Sequence, residues 1–199
     1  MKPVWAMAVC ALLVGCSASK PDRFHSLLAS ELAAPAAPAA SPVLVDVLPV
    51  SVPPLVDQPQ WVLRAADDSL QVLEQERWAA PLREELRSAL TERLVARWGA
   101  VDVHTLPQPA TNVWRVRLDV QRFESLASKE ARIDGTWSAL SPRADVGALV
   151  CHSSVREDVA EGGVPALAAA HRRGVARLGD EIGKRLVALQ RGDTVTCAD

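Results

Sequence analysis

Between Val113 and Gln121 the side chains alternate without a break. Trp114, Val116, Leu118 and Val120 fall on one side, and Arg115, Arg117, Asp119 and Gln121 on the other. Successive side chains of an extended strand point to opposite faces, so this run predicts a strand with one wet face and one covered face. Arg132 to Leu140 alternates again, with Ile133, Trp137 and Ala139 on one side, and Ala144 to Val155 is a third extended run. Three consecutive runs of this kind predict an antiparallel meander, and its apolar face needs a second layer to cover it.

Two amphipathic helices supply that layer. Leu82, Leu86, Leu90, Leu94 and Trp98 recur every four residues with Ala89 beside them, Pro81 suits the first turn, and Gly99 is the stop. Arg83, Glu84, Glu85, Arg87, Glu92 and Arg93 fall on or beside the polar face. Val164 to Leu189 is the second helix, with Leu167, Val175, Leu178, Ile182, Leu186 and Leu189 on one stripe. Its glycines, Gly174, Gly179 and Gly183, either weaken it or let it pack closely on the sheet.

Shorter extended runs precede these. Phe24 to Leu28 reads as a first short strand. Val43 to Val50 is almost continuously apolar, which predicts a buried central strand ended by Pro49, Pro53 and Pro54. Gln60 to Arg64 and Leu70 to Leu73 flank Asp67-Asp68-Ser69 as a hairpin, and Val101 to Val103 is a short strand after the first helix. The expected fold is α/β of an α+β-like kind: a mixed sheet containing an antiparallel meander, with two main helices packed on it.

The N-terminus carries an address. Lys2 is followed by about eleven apolar residues, Val4 to Val14, which is a secretory signal and too short to span a bilayer. Leu13-Val14-Gly15-Cys16 resembles the lipobox of bacterial lipoproteins. There the thiol takes a diacylglycerol, a peptidase cuts before the cysteine, and the freed amine takes a further acyl chain such as palmitate. Each buried methylene adds about 0.8 kcal/mol of membrane affinity. In enterobacterial-type sorting an aspartate after the cysteine retains the protein in the inner membrane; Ser17 points instead to the outer membrane, facing the periplasm. The expected division is 1–15 as signal peptide, 16–42 as a lipidated tether with a short strand and an Ala/Pro-rich loop, and 43–199 as one globular domain.

Of the four cysteines, Cys10 leaves with the signal and Cys16 carries the lipid. In an oxidising compartment the remaining pair, Cys151 and Cys197, reads as a disulfide, with two free buried thiols as the alternative. At 49% hydrophobic and 23% charged residues the chain can bury a core, and a net charge of −2 without a basic block gives nucleic acid no footprint. His25, His104, His152 and His171 show no metal-ligand spacing, and no nucleophile elbow or phosphate loop occurs. No catalytic residue, metal or cofactor is expected. His171 lies on an apolar stripe and reads as a packed histidine, and Arg172-Arg173 as a solvated face. Trp61, Trp78, Trp98, Trp114 and Trp137 are core residues by default, with a lining for an acyl chain as the alternative.

The run Leu48-Pro49-Val50-Ser51-Val52-Pro53-Pro54-Leu55-Val56-Asp57-Gln58-Pro59-Gln60-Trp61-Val62 resembles the opening of the PqiC-type family, the ABC-type transport auxiliary lipoproteins. Arg77-Trp78-Ala79-Ala80-Pro81-Leu82 resembles the motif that opens that family's first helix. Phe24-His25-Ser26-Leu27 is similar to its first strand, with both tyrosines replaced. The resemblance implies a non-catalytic outer-membrane lipoprotein that partners an MCE-domain transport protein anchored in the inner membrane. It leaves open whether the chain acts as a homo-oligomer. Pro53, Asp57, Pro59, Gln60, Trp78 and Pro81 are then the motif positions, with fold or interface roles. Two readings compete: a periplasmic lipid-binding or envelope-assembly lipoprotein, which needs an internal cavity lined by Trp and Leu, and a lipid-anchored hydrolase built on His152 with Ser153 or Ser154.

Overall fold

The structure, a computed structural model, describes residues 20–28, 42–106, 112–143, 147–159 and 162–197. In chain order the elements are β1 (Arg23–His25), β2 (Leu44–Val47), β3 (Gln60–Arg64), β4 (Leu70–Trp78), α1 (Leu82–Trp98), β5 (Val101–Asp102), β6 (Val113–Leu126), β7 (Glu130–Leu140), β8 (Leu149–Asp158) and α2 (Gly163–Arg191). All eight strands form one mixed sheet, as the alternation and the element order predict.

The longest strand, β6, organises the sheet. One of its edges pairs antiparallel with β7, which pairs antiparallel with β8, giving the meander. Its other edge is shared. β2 lies parallel to its first residues and carries β5 beyond it, while β3 meets its last residue and carries β4 and then β1. The expected end of the run at Gln121 falls at a bulge between Val120 and Arg122. There Gln121 and Arg122 both face solvent, after which Phe123 and Ser125 are buried and the strand continues to Leu126. One extra residue resets the alternation, so the pattern read from Val113 stops although the strand does not.

β4 also outruns its expected end. A second irregularity lets Trp61 pair with Leu73 while Gln60 pairs with Arg77, and β4 continues to Trp78. The central strand β2 differs in another way. It is flanked on both edges, but only Val45 and Val47 are fully buried, while Leu44 and Asp46 are half-exposed. Helices cover one face of this sheet and leave the other bare, so continuous apolarity does not mean burial on both faces here.

α1 begins one residue later than the Pro81 rule suggests. Pro81 is the N-cap, with φ −50° and ψ 133°, and its carbonyl accepts the amides of Glu84 and Glu85 at 2.8 and 3.1 Å. Gly99 closes the helix at φ 65°, and its amide returns to Val95. Leu82, Leu86, Leu90 and Leu94 are buried, together with Trp61, Trp78, Trp114 and Trp137 and the valines of β2. Trp98 is half-buried at the helix end and donates its indole N–H to Asp180 at 3.0 Å.

The glycines of α2 divide between two neighbours rather than all serving the sheet. A Cβ on Gly174 would meet Ile133 and Val155, whereas one on Gly183 would lie 2.4 Å from the Trp98 ring and one on Gly179 2.8 Å from Arg93. The helices therefore touch along a glycine groove, sealed by Arg93 donating to both carboxylate oxygens of Asp180 at 2.8 and 2.6 Å. Gly183→Ala is expected to lower stability by about 2 kcal/mol, since an indole ring has to move to admit a methyl group. Denaturant unfolding measures this, and a midpoint equal to wild type would show that the helices separate freely.

Candidate anchoring and docking site

Cys16 lies outside the described residues. The segment leading from it enters the body at β1 and is fastened there by backbone and side chains together. β1 pairs in parallel with β4, Arg23 to Glu76 and His25 to Trp78, and the Ala79 amide donates to the His25 carbonyl at 2.8 Å. That bond turns the polar backbone groups of His25 toward β4, and positions 23 and 21 share its orientation. Pro21 has no N–H to give, which ends the ladder at Arg23.

Two buried carboxylates complete the clamp. Glu76 takes Arg23 through one oxygen, and its other oxygen is 2.6 Å from His25 Nε2. Glu85, only 4% exposed, accepts Ser26 Oγ and the Leu27 amide, both at 2.7 Å. Arg172 of α2 donates to the Ser26 carbonyl at 3.0 Å, and Leu27 is buried in the core. A buried carboxylate is costly unless donors meet it, and here the entering chain supplies the donors. This corrects two sequence readings: Glu85 is not on the solvated face of α1, and Arg172 is not merely solvated. Neither was legible, because their partners arrive from the chain's other end.

The motif positions meet at the corner where the loop after β2 passes through the hairpin into α1. The amides of Val56 and Asp57 donate to the carbonyls of Pro53 and Pro54 at 3.0 and 3.3 Å, which makes the turn. Arg83 of α1 donates to both oxygens of Asp57. The Pro59 carbonyl accepts the Trp78 amide at 2.9 Å, and Gln60 donates to Glu74 at 3.4 Å. Trp78 stacks on Trp61 with ring centroids 4.3 Å apart. These contacts are internal to the domain and build this corner.

Cys151 on β8 and Cys197 beyond α2 are joined by a disulfide, with Cα atoms 5.3 Å apart. Arg185 donates to the carbonyls of Thr196 and Cys197 at 3.2 and 3.1 Å, which seats the bridged segment.

No hydrogen bond joins His152 to Ser153 or Ser154 among the described residues. His152 and Ser153 are neighbours on β8 and point to opposite faces. Ser153 accepts the Trp137 indole N–H and donates to Glu181, while Ser154 donates to Asp134. His171 is packed as expected. It is fully buried, stacked on Phe123 at 4.0 Å, with Nε2 2.9 Å from Ser125 Oγ. Burial pushes its pKa down to about 3, so it is neutral at physiological pH. Among the described residues no cluster of His, Cys, Asp or Glu could hold a metal ion.

The bare face of the sheet is polar. An open groove of about 670 Å³ runs over it, lined in part by Arg64, Arg122, Lys129, Arg132 and Arg156. Arg64 donates to Glu124, and Arg122 and Arg132 reach Asp134. Burial works to raise the Asp134 carboxyl, but hydrogen bonds from Ser154 and Arg132 outweigh it and hold the pKa below the ordinary carboxylate range.

The fold is thus a two-layer, helix-backed mixed sheet. Residues 25–183 match the family described as the ABC-type transport auxiliary lipoprotein component, and the chain belongs to that family. Two crystal structures share the fold. One, described only as an uncharacterized protein, has a TM-score of 0.69 at 18% identity and covers 84% of this chain and 99% of its own. The other, a protein of Xanthomonas campestris, has a TM-score of 0.65 at 18% identity and covers 85% of this chain and 98% of its own. No protein of curated function matches the chain in sequence.

Proposed function

We propose that the chain is a non-catalytic accessory of a lipid transport system that crosses the envelope. It is held at the periplasmic face of the outer membrane through acyl chains on Cys16, and it docks to an MCE-domain protein anchored in the inner membrane. Membership of the auxiliary lipoprotein family over residues 25–183 carries this reading. The lipobox-like Leu13-Val14-Gly15-Cys16 supports the anchor, and Ser17 supports the outer membrane. The fit of the N-terminal clamp supports a domain built to be held from that end.

The lipid-binding alternative needs an internal cavity. Acyl-sized ligands occupy pockets of roughly 300 Å³ or more. The void bounded by Trp61, Trp78 and Phe123 measures about 10 Å³, so the aromatic side chains fill that part of the core themselves.

Cys16→Ser is expected to move the protein from the membrane fraction to the soluble fraction, read by fractionation and flotation. Continued sedimentation with outer membranes would remove the anchor from the proposal. Cross-linking and purification of the full-length protein from its own cells should recover an MCE-domain protein. Recovery of the anchored protein without one would remove the MCE partner and leave the anchor standing.

A further inference from the structure

One aromatic side chain on the entering strand is left unused by the fold. Phe24 is 64% exposed, the highest value among the exposed large apolar residues. Its neighbours Arg23 and His25 both turn to Glu76, so alternation sends Phe24 to the opposite face of β1. The strand beneath it is fixed by the β4 ladder, Glu85 and Arg172, so Phe24 is presented from a rigid mount and not from a loose tail.

The position of that mount is bounded. Fully extended at about 3.4 Å per residue, the chain from Cys16 to Phe24 reaches no more than about 27 Å. Lys20 is exposed, and the Arg23 side chain is 66% exposed although it reaches Glu76. Arg23 is held by Glu76 on the face opposite Phe24, which leaves Lys20, four residues earlier in the chain, as the cation on a long apolar stem that suits a headgroup boundary. We infer that Phe24 enters the interfacial layer of the leaflet that holds the Cys16 acyl chains, with Lys20 at the headgroups, so that the margin of the domain at β1 lies on the bilayer. This rests on the lipid anchor proposed above, and it adds a second contact that fixes how the domain is oriented.

The chain contains only two phenylalanines, Phe24 and Phe123, and Phe123 is 5% exposed. Full-length lipidated protein labelled with 4-fluorophenylalanine therefore gives two fluorine resonances, assigned by Phe24→Leu. In phosphatidylethanolamine–phosphatidylglycerol vesicles, a phospholipid spin-labelled just below its headgroup is expected to broaden the Phe24 resonance at least threefold more than that of Phe123. A water-soluble relaxation agent should affect Phe24 little. Protein that floats with the vesicles while Phe24 stays open to the soluble agent overturns the inference. So does a Phe24 shielded from both agents, which would mean a second protein surface covers it. Flotation of Cys16→Ser tests the anchor separately: if that variant floats as well as wild type, the anchor fails, whatever the resonance shows.

Discussion

Cys197→Ser is expected to lower the free energy of unfolding by up to about 4 kcal/mol, the chain-entropy value for a closed loop of this length. The bridged residues are 46 apart in sequence and enclose most of β8 and all of α2. Without the bond, the unfolded chain regains the freedom of that whole loop. In the native state Cys151 stays buried against the sheet, while the segment around Cys197 keeps its Arg185 contacts. Urea unfolding of wild type and variant measures the effect, and the variant's denaturant slope should rise as its unfolded state expands. Wild type treated with reductant should unfold at the variant's midpoint. A variant as stable as wild type would mean that the bond adds nothing beyond those contacts.

Acid is expected to unfold the protein partly through His171. Its pKa is about 3 in the folded chain against 6.5 when unperturbed. Between those values the unfolded chain binds a proton that the folded chain refuses, so stability rises with pH across the window and falls as pH drops through it. The slope is about 1.4 kcal/mol per pH unit, or about 2–3 kcal/mol between pH 6.5 and 4.5. Above pH 6.5 this contribution is complete and flat. Asp134, Glu157 and Asp180 also have lowered pKa values and lose stabilising contacts in acid, so wild type alone does not isolate the histidine. His171→Gln does not titrate, and its stability should depend less on pH between 6.5 and 4.5 although it starts lower. Parallel pH profiles for the two proteins would show that the ring is protonated without penalty.

The parts of the fold legible in sequence were those governed by a local period. Alternation placed the meander, the four-residue leucine repeat placed α1, and Gly99 stopped it where a left-handed residue is required. The signal faded wherever extra residues shifted the register, one in β6 and three in β4. The bulge after Val120 hid the last part of β6, and the irregularity after Gln60 hid the last part of β4. Long-range chemistry was not legible at all. Glu85 sits on a helix among charged neighbours, and nothing nearby says that a serine and an amide from residues 26 and 27 come to meet it. The glycine groove was half legible, since the spacing implied close packing while the partner, α1 rather than the sheet, depended on how the two helices lean together. Of the motif positions, the resemblance supplied the residues and the structure supplied their contacts. No periodicity of the fold predicts the family motif or the Leu13-Val14-Gly15-Cys16 run.

The first and last described segments are fastened to opposite margins of one sheet. The N-terminal strand β1 closes one side, and the bridge from Cys197 to Cys151 holds the C-terminus against β8 on the other. The path between them crosses β4, β3, β6 and β7, and at about 4.8 Å per strand it spans about 24 Å. Held through the anchor proposed for Cys16, such a domain is a spacer whose width from β1 to β8 is set by the number of strands and not by the length of the leash. Lengthening the tether would loosen where such a domain sits; removing a strand would shorten how far it reaches.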